Sequence, residues 1–263
     1  MDLVCTGDSW CYGSDLGKKD SHRNVLRYST LLREKLDFRY VTNLAKPGIS
    51  NSYIIFTLTD WLAENGYLTG KKDPSTLFIS IGWTSPERFD IFPHKTVLNR
   101  KKEKVPYWKT IGPWIFSLGA DHYPIDYNYK DYLEWFYVNC RSQRSDYSNW
   151  VTQVFMMQNL LENLGIRFIM HQAIYHNNHF KLGDDTIKHN KHDHTHILWK
   201  CVKEKNFLHK DKEYASLYSY LKKYHDGEKN VLNDIGDHPQ KKGHEIICDL
   251  LYKHIKENKL WIN

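Results

Sequence analysis

Short apolar runs alternate with amphipathic stretches along this chain of 263 residues, and the alternation limits the fold more than any other sequence feature. The apolar runs have the length of strands and cover residues 3–5, 38–44, 75–81 and 166–170. The stretches with apolar residues at helical spacing cover residues 24–36, 50–64, 129–164, 213–224 and 244–258. Strands separated by helices form βαβ units, so the pattern predicts an α/β protein with a central parallel sheet.

A parallel sheet with right-handed crossovers brings the C-terminal ends of its strands to one edge, where ligands bind in open α/β sheets. Four segments follow the predicted strands and would meet there: residues 7–9, 46–48, 82–84 and 171–172. We therefore expect the functional residues of the chain among these segments.

Residues 85–130 do not follow the alternation of strands and helices. They hold five prolines, many aromatic residues and the basic run 100–104. We interpret them as an irregular insertion within a single domain of residues 1–263, since long inserts in compact domains are often binding lids. The basic run is typical of a solvated face; a clamp for phosphate or nucleic acid, with Tyr107 and Trp108 as stacking platforms, is the alternative.

Cysteine usage and charge restrict the class of protein. The five cysteines are scattered without a C-x-x-C pair, which excludes a disulfide framework and a zinc knuckle and favours reduced thiols. The formal net charge of +6 favours anionic partners. The chain begins without a secretory signal pattern and has no apolar run of the roughly 20 residues that span a bilayer, so we expect a cytoplasmic protein with no membrane contact.

The tripeptide Gly7-Asp8-Ser9 follows the first predicted strand directly. A serine at such a turn exposes its hydroxyl at the sheet edge, and its own backbone N–H can help to bind an oxyanion. A plain Gly-Asp-Ser turn is the alternative interpretation.

A histidine near the other end of the chain is a candidate base for this serine. His238 lies in a polar loop, residues 233–243, just before the last amphipathic stretch. A serine hydroxyl is a poor nucleophile until a base takes its proton, and an acidic neighbour orients that base. The sequence thus predicts that folding brings Ser9 within hydrogen-bond reach of His238, although a histidine in a capping turn is the simpler interpretation of that residue alone.

The order of these motifs resembles that of the SGNH (GDSL-like) hydrolases over nearly the whole chain: GDS near the start, a glycine after the second strand, Gly-x-x after the third, and D…HP…GH near the end. The resemblance implies a three-layer α/β/α flavodoxin-like sandwich and an acyl hydrolase with Ser9 as nucleophile and His238 as base. It also implies that the N–H groups of Ser9 and Gly48 are oxyanion donors. The segments GDSWCYGSDL and IGWTSPERF resemble intracellular members from phage and bacteria.

Two departures from the family pattern affect the predicted site. Thr84 stands where the family has an oxyanion-binding asparagine, and its shorter side chain could donate through the hydroxyl. The family's acid lies three residues before the histidine, at the position of Ile235 here. We favour Asp234 as the acid over Asp237 and over a Ser–His pair without an acid.

Further residues of the predicted edge are candidates for substrate contact. Arg88 would anchor an anionic substrate or form a surface ion pair, and Trp83 would stack on a sugar or acyl group or pack in the core. The other predicted contacts are Asp8, Trp10, Gly82, His171, Gln172 and Asp237. The histidine-rich stretch 171–196 could chelate a metal, but a solvated polar loop is the simpler interpretation, and we predict no metal site.

The predicted function is an esterase or deacylase that removes a small acyl group from a carbohydrate-like or other small substrate without a cofactor. An acyltransferase on the same fold is the second hypothesis, since a lid that excludes water favours transfer. A non-catalytic module that binds carbohydrate or nucleic acid is the third, and the departures at Thr84 and Ile235 favour it.

Overall fold

The computed structural model describes residues 1–17, 20–91, 96–98, 104–106, 109–111, 135–136, 139–140, 142–174, 197–210, 214, 216–233 and 237–261. Its strands are β1 (Asp2–Gly7), β2 (Val41–Asn43), β3 (Leu77–Trp83), β4 (Phe89–Ile91), β5 (Thr96–Leu98), β6 (Lys104–Pro106), β7 (Lys109–Ile111) and β8 (Arg167–Gln172). Its helices are α1 (Ser9–Tyr12), α2 (Asp20–Leu26), α3 (Tyr28–Lys35), α4 (Asn51–Glu64), α5 (Gln143–Asn163), α6 (Ile197–Cys201), α7 (Leu217–His225) and α8 (Lys241–Glu257). Short 3₁₀ turns cover Pro74–Thr76 and Glu204–Asn206.

The central sheet has four strands in the order β2-β1-β3-β8, and every pairing is parallel. Two isolated parallel bridges, Met170 to Phe207 and Gln172 to Ser216, extend the sheet beyond β8. This order is the flavodoxin-like one, in which β2 is added on one side of β1 and the later strands are added on the other side. The predicted parallel sheet is confirmed, and the crevice at the C-terminal ends of β1 and β3 is the expected position of a ligand site.

Helices cover both faces of the sheet, because successive strand residues point to opposite sides. On one face Leu3 and Phe78 pack in a core cluster with Leu32 of α3 and Leu251 of α8. The other face forms a second cluster, which joins Val4, Ile79 and Ile81 of the sheet to Leu58 of α4 and Val154 of α5. The molecule thus has the predicted three layers, helix, sheet and helix.

The predicted helix 24–36 is wrong at its centre, because the chain is extended at Arg27 (φ −71°, ψ 147°) and divides into α2 and α3. A tertiary contact outweighs the helical pattern there. The Tyr28 side chain is fully buried, and the backbone N–H of Tyr28 donates to His244 Nδ1 of α8 at 3.3 Å instead of continuing the helix. The predicted strand 38–44 is also too long, since Phe38 packs against Phe78 and Trp261 and only β2 pairs with β1.

The predicted insertion 85–130 is partly regular. Within the described residues, β4 pairs with β7 and β5 pairs with β6, both antiparallel. Most of the remainder, including residues 100–103 of the basic run, lies outside the described residues, as does most of the histidine-rich stretch 171–196. None of the helices that the structure describes is both long and apolar enough to cross a membrane.

Candidate active site

The Gly7-Asp8-Ser9 turn joins β1 to α1 and places Ser9 at the first position of that helix. Asp8 caps the helix, since its Oδ1 accepts from Trp10 N at 3.0 Å. Gly7 has φ 152°, and an added Cβ would lie 2.2 Å from Cys11 Sγ and 2.8 Å from Gly82 O. Only glycine fits here, so the close packing of β1, α1 and β3 explains the motif and fixes the position of Ser9.

His238 meets Ser9 across 229 residues of chain, with Nε2 2.8 Å from Oγ. Two hydrogen bonds to Asn233 hold the histidine in place. The backbone N–H of His238 donates to Asn233 Oδ1 at 3.0 Å, and Asn233 N donates to the His238 carbonyl at 3.0 Å. The distance from imidazole to hydroxyl is one at which a base takes a proton from a nucleophile.

The carboxylate beside His238 belongs to Asp15, which the sequence analysis did not identify. Asp15 Oδ2 lies 3.4 Å from His238 Nδ1, and Asn233 Nδ2 donates to the same carboxylate oxygen. The side chains of Asp15 and His238 are each 28 % exposed, so solvent screens this pair in part. Gly13, in the left-handed conformation (φ 82°), ends α1 and turns the chain so that Asp15 reaches the histidine. The position of Asp15 shortly after the predicted nucleophile places it near the turn, but residue spacing does not show that it reaches the histidine.

Asp237, the alternative to Asp234 in the sequence analysis, does not fill this position. Asp237 is adjacent to His238 but faces elsewhere: its carboxylate pairs with Lys222 Nζ at 3.1 Å and accepts from the Tyr218 hydroxyl at 3.2 Å. Its backbone is left-handed (φ 51°), which turns its side chain to another side of the loop. Asp234 lies outside the described residues.

The two backbone N–H groups predicted as oxyanion donors belong to Ser9 and Gly48. Neither Ser9 N nor Gly48 N donates to any acceptor in the described part of the chain. Gly48 is exposed and left-handed (φ 71°), in the loop that follows β2. Lys46 N of this loop donates to the Gly7 carbonyl at 3.1 Å, which ties the loop to the end of β1.

The structure contradicts the expected oxyanion role of Thr84. Its hydroxyl donates to Asp8 Oδ2 at 2.6 Å, and both side chains are fully buried. A hydroxyl has one proton to donate, so this bond leaves none for an oxyanion. The predicted substrate contact of Gln172 is also wrong, because its buried amide donates to the Thr84 carbonyl at 2.8 Å and to Ile174 O at 2.7 Å.

Asp8 and Arg88 form an internal ion pair rather than the predicted substrate contacts. Arg88 Nη1 lies 3.4 Å from Asp8 Oδ2; the Arg88 side chain is 9 % exposed and the Asp8 side chain 0 % exposed. The same Nη1 donates to the Ile49 carbonyl at 3.3 Å. The surface ion pair considered for Arg88 is therefore wrong as well, since the pair is buried.

Four more predicted contact residues support the turn from within the core. Trp10 and Trp83 are buried in the two core clusters, so neither can stack on a substrate. Gly82 has no room for a side chain, since an added Cβ would lie 2.2 Å from Cys11 Sγ and 2.9 Å from His171 Nε2. His171 itself is buried, and burial lowers its pKa to about 3, so the ring is neutral.

The cysteines are free thiols, and the described residues contain no metal cluster. All five thiols are free, with Cys5, Cys11 and Cys248 buried and Cys140 and Cys201 exposed. Burial raises the pKa of Cys11, the thiol nearest the turn, well above its usual value. The described residues contain no group of three or more His, Cys, Asp or Glu that could hold a metal ion.

Two cavities flank the site. One of about 530 Å³ borders the His238 loop, with Asn233 and Asp237 in its lining. The other, of about 460 Å³, lies between α4 and α5 and has Arg88 and Trp150 in its wall. Neither of these two cavities is lined by Ser9 or His238; the Ser9 residue is 5 % exposed, and the His238 side chain is 28 % exposed.

Comparisons with known proteins add likeness in fold only. No family model matches the chain, and no curated protein matches it. Among solved structures, TesA aligns with a TM-score of 0.48 and 12% identity over 98% of this chain and 99% of that chain. The psychrotrophic esterase EstA from Pseudoalteromonas sp., inhibited by monoethylphosphonate, aligns with a TM-score of 0.47 and 11% identity over 97% of both chains. A member of the lipolytic protein G-D-S-L family from Veillonella parvula aligns with a TM-score of 0.44 and 12% identity over 97% of this chain and 96% of that chain. At these scores the neighbours carry no argument about activity, which depends on the site itself.

Proposed function

We propose that the protein is a serine hydrolase that cleaves carboxylic esters. The observation that carries the proposal is the 2.8 Å distance between Ser9 Oγ and His238 Nε2 at the C-terminal edge of a parallel sheet. A serine and an imidazole at this distance, with a carboxylate on the far side of the ring, have the arrangement of an activated nucleophile. The proposal agrees with the resemblance of the sequence motifs to the SGNH hydrolases.

The proposed reaction has two steps. Ser9 Oγ attacks the acyl carbonyl while His238 Nε2 takes the hydroxyl proton, and the N–H groups of Ser9 and Gly48 bind the oxyanion. The tetrahedral intermediate collapses as the imidazolium returns the proton to the leaving alcohol. Water, deprotonated by His238, then attacks the acyl-enzyme and releases the acid and free Ser9. Asp15 holds the imidazole orientation and stabilises its charged form.

The substrate we propose is a small acyl ester of a carbohydrate-like or other small molecule. The side chain of the proposed base His238 is 28 % exposed, and the polar cavity bordering its loop provides space for a hydrophilic alcohol. The acyltransferase alternative depended on a lid at 85–130, most of which lies outside the described residues. Transfer is therefore tested by adding sugars to the assay. A hydrolase should still release free acid, whereas an acyltransferase would form an acylated sugar instead.

Hydrolysis of p-nitrophenyl acetate by wild type, Ser9→Ala and His238→Ala tests the proposal. Both variants should lose at least about 1,000-fold in kcat, since members of such a unit are each required. Ser75→Ala is the matched control, because Ser75 lies in the turn before β3, at the opposite edge of the sheet. A fluorophosphonate probe should label Ser9 in the folded wild type. Equal rates in wild type and Ser9→Ala, or labelling at another residue, would contradict the proposal.

A further inference from the structure

The two proposed oxyanion donors belong to different segments of the chain. Ser9 lies in the turn after β1, whereas Gly48 lies in the loop between β2 and α4. Both N–H groups must lie about 2.7–3.1 Å from one oxygen to stabilise it, so the spacing of the two segments decides whether the oxyanion is bound. Because the Thr84 hydroxyl donates to Asp8, it does not supply the donor that this position has in the SGNH pattern.

Arg88 connects these two segments through a single atom. Its Nη1 lies 3.4 Å from Asp8 Oδ2 and 3.3 Å from Ile49 O. Asp8 immediately precedes Ser9, and Ile49 immediately follows Gly48. We propose that Arg88 is a positioning residue of the oxyanion hole, which holds the two donor segments at their working separation; this inference rests on the proposed hydrolase function.

Charge gives Arg88 a second effect on the same step. The Asp8 carboxylate is fully buried and adjoins the residue whose N–H would bind the oxyanion. Negative charge that develops there is repelled by a carboxylate, and the repulsion is strong where water is excluded. The hydrogen bonds from Trp10 N and the Thr84 hydroxyl stabilise the carboxylate without cancelling its charge. The guanidinium of Arg88 supplies the compensating positive charge.

The burial of Arg88 favours this role over the binding of an anionic substrate. Only 9 % of its side chain is exposed, and its Nη1 is occupied by two groups of the protein. A positioning role and a substrate-binding role differ in their kinetics. An arginine that positions the oxyanion donors changes kcat for every ester, whereas one that binds the substrate changes KM for anionic esters alone.

The test compares Arg88→Met with wild type on p-nitrophenyl acetate and on the anionic p-nitrophenyl hemisuccinate. Arg88→Met should lower kcat roughly 10- to 100-fold for both esters and leave KM within about twofold, less than the loss of a whole donor. Adding Asp8→Asn to Arg88→Met should recover at least about half of the lost kcat on a logarithmic scale, because the uncompensated charge is gone. The control is Arg39→Met, since Arg39 pairs with Asp2 at the first residue of β1, whereas the site lies at the other end of that strand.

Three results would overturn the inference: a wild-type kcat in Arg88→Met, a loss confined to KM of the anionic ester, or a double variant with a simply additive loss. Melting temperature and near-ultraviolet circular dichroism show whether each variant is folded. If Arg88→Met does not fold, Arg88→Lys tests the proposal, since lysine keeps the charge but cannot reach both the Asp8 carboxylate and the Ile49 carbonyl. The kcat of Arg88→Lys should be about tenfold below that of wild type. An unchanged kcat would overturn the proposal. Absence of Ser9-dependent hydrolysis in wild type would instead refute the proposed function, and the inference with it.

Discussion

Replacing Asp15 by asparagine should lower kcat of ester hydrolysis about 30- to 150-fold, because the Asp15 carboxylate stabilises the charged imidazole of His238. The imidazole becomes positively charged in the transition state of both proposed steps. Asp15 Oδ2, 3.4 Å from His238 Nδ1, is the carboxylate that the described structure places against that charge. Asparagine keeps the size of the side chain and removes the negative charge.

The magnitude follows from the distance and the exposure of the pair. Two unit charges 3.4 Å apart interact by about 5 kcal/mol at an effective dielectric constant of 20 and about 1.2 kcal/mol in bulk water. Because 28 % of each side chain is exposed, solvent screening reduces the upper value. An intermediate loss of about 2–3 kcal/mol corresponds to the stated range, at 1.36 kcal/mol for each factor of ten in rate.

The assay is steady-state hydrolysis of p-nitrophenyl acetate near neutral pH, with Asp237→Asn and Asp234→Asn measured beside Asp15→Asn. Asp237 is the informative comparison, because it is adjacent to His238 in sequence but pairs with Lys222 and Tyr218. Its replacement should change kcat by less than about threefold, as expected for a partly exposed ion pair. The three variants should share the wild-type KM within about twofold.

A larger loss in Asp234→Asn or Asp237→Asn than in Asp15→Asn would refute the assignment of the acid. So would an unchanged kcat in Asp15→Asn, which would leave a Ser–His pair without an acid. A thermal melt of each variant separates loss of catalysis from loss of fold.

Three further results are expected. Gly82→Ala should lower the free energy of unfolding by about 1–3 kcal/mol in urea titrations, because the new methyl group overlaps Cys11 Sγ. Adding Cys11→Ala should recover part of the loss. An unchanged stability in Gly82→Ala would contradict the close packing at this glycine. Acid should destabilise the fold. Burial lowers the pKa of His171 and His244 to about 3, so the unfolded chain binds more protons than the folded chain as pH falls below about 6.5. Each histidine should therefore lower the free energy of unfolding by up to about 2 kcal/mol between pH 7 and pH 5. Urea titrations at the two pH values should show this difference, with a smaller one in His171→Leu, and equal stability at both would contradict it. Iodoacetamide should modify the exposed Cys140 of the folded protein but not the buried Cys11, as peptide mass mapping would show, and rapid modification of Cys11 would contradict its burial.

The layers of the fold and the approach of Ser9 to His238 follow from local sequence patterns. The apolar runs determine which residues form the buried strands, and a parallel sheet then brings the strand ends to one edge. Gly7 is a further local signal, since the turn it forms excludes every side chain. Short-range patterns therefore contain enough information for the sheet and for the position of the proposed nucleophile.

The partners of the proposed catalytic residues depend on contacts that no local pattern encodes. Asp15 reaches His238 because Gly13 turns the chain after a four-residue helix, and the direction of that turn cannot be read from residue spacing. The Thr84 hydroxyl and Arg88 meet at Asp8, 76 and 80 residues away, so neither could be assigned to the interior in advance. The break at Arg27 has the same cause, a tertiary contact stronger than the helical pattern.

The most direct test of the account is a crystal structure of the protein after reaction with a fluorophosphonate. We expect phosphorus bonded to Ser9 Oγ, with the imidazole of His238 within about 3 Å of that oxygen. The phosphoryl oxygen should accept hydrogen bonds from the backbone N–H groups of Ser9 and Gly48. An adduct on another residue, or a phosphoryl oxygen directed away from both N–H groups, would contradict the account.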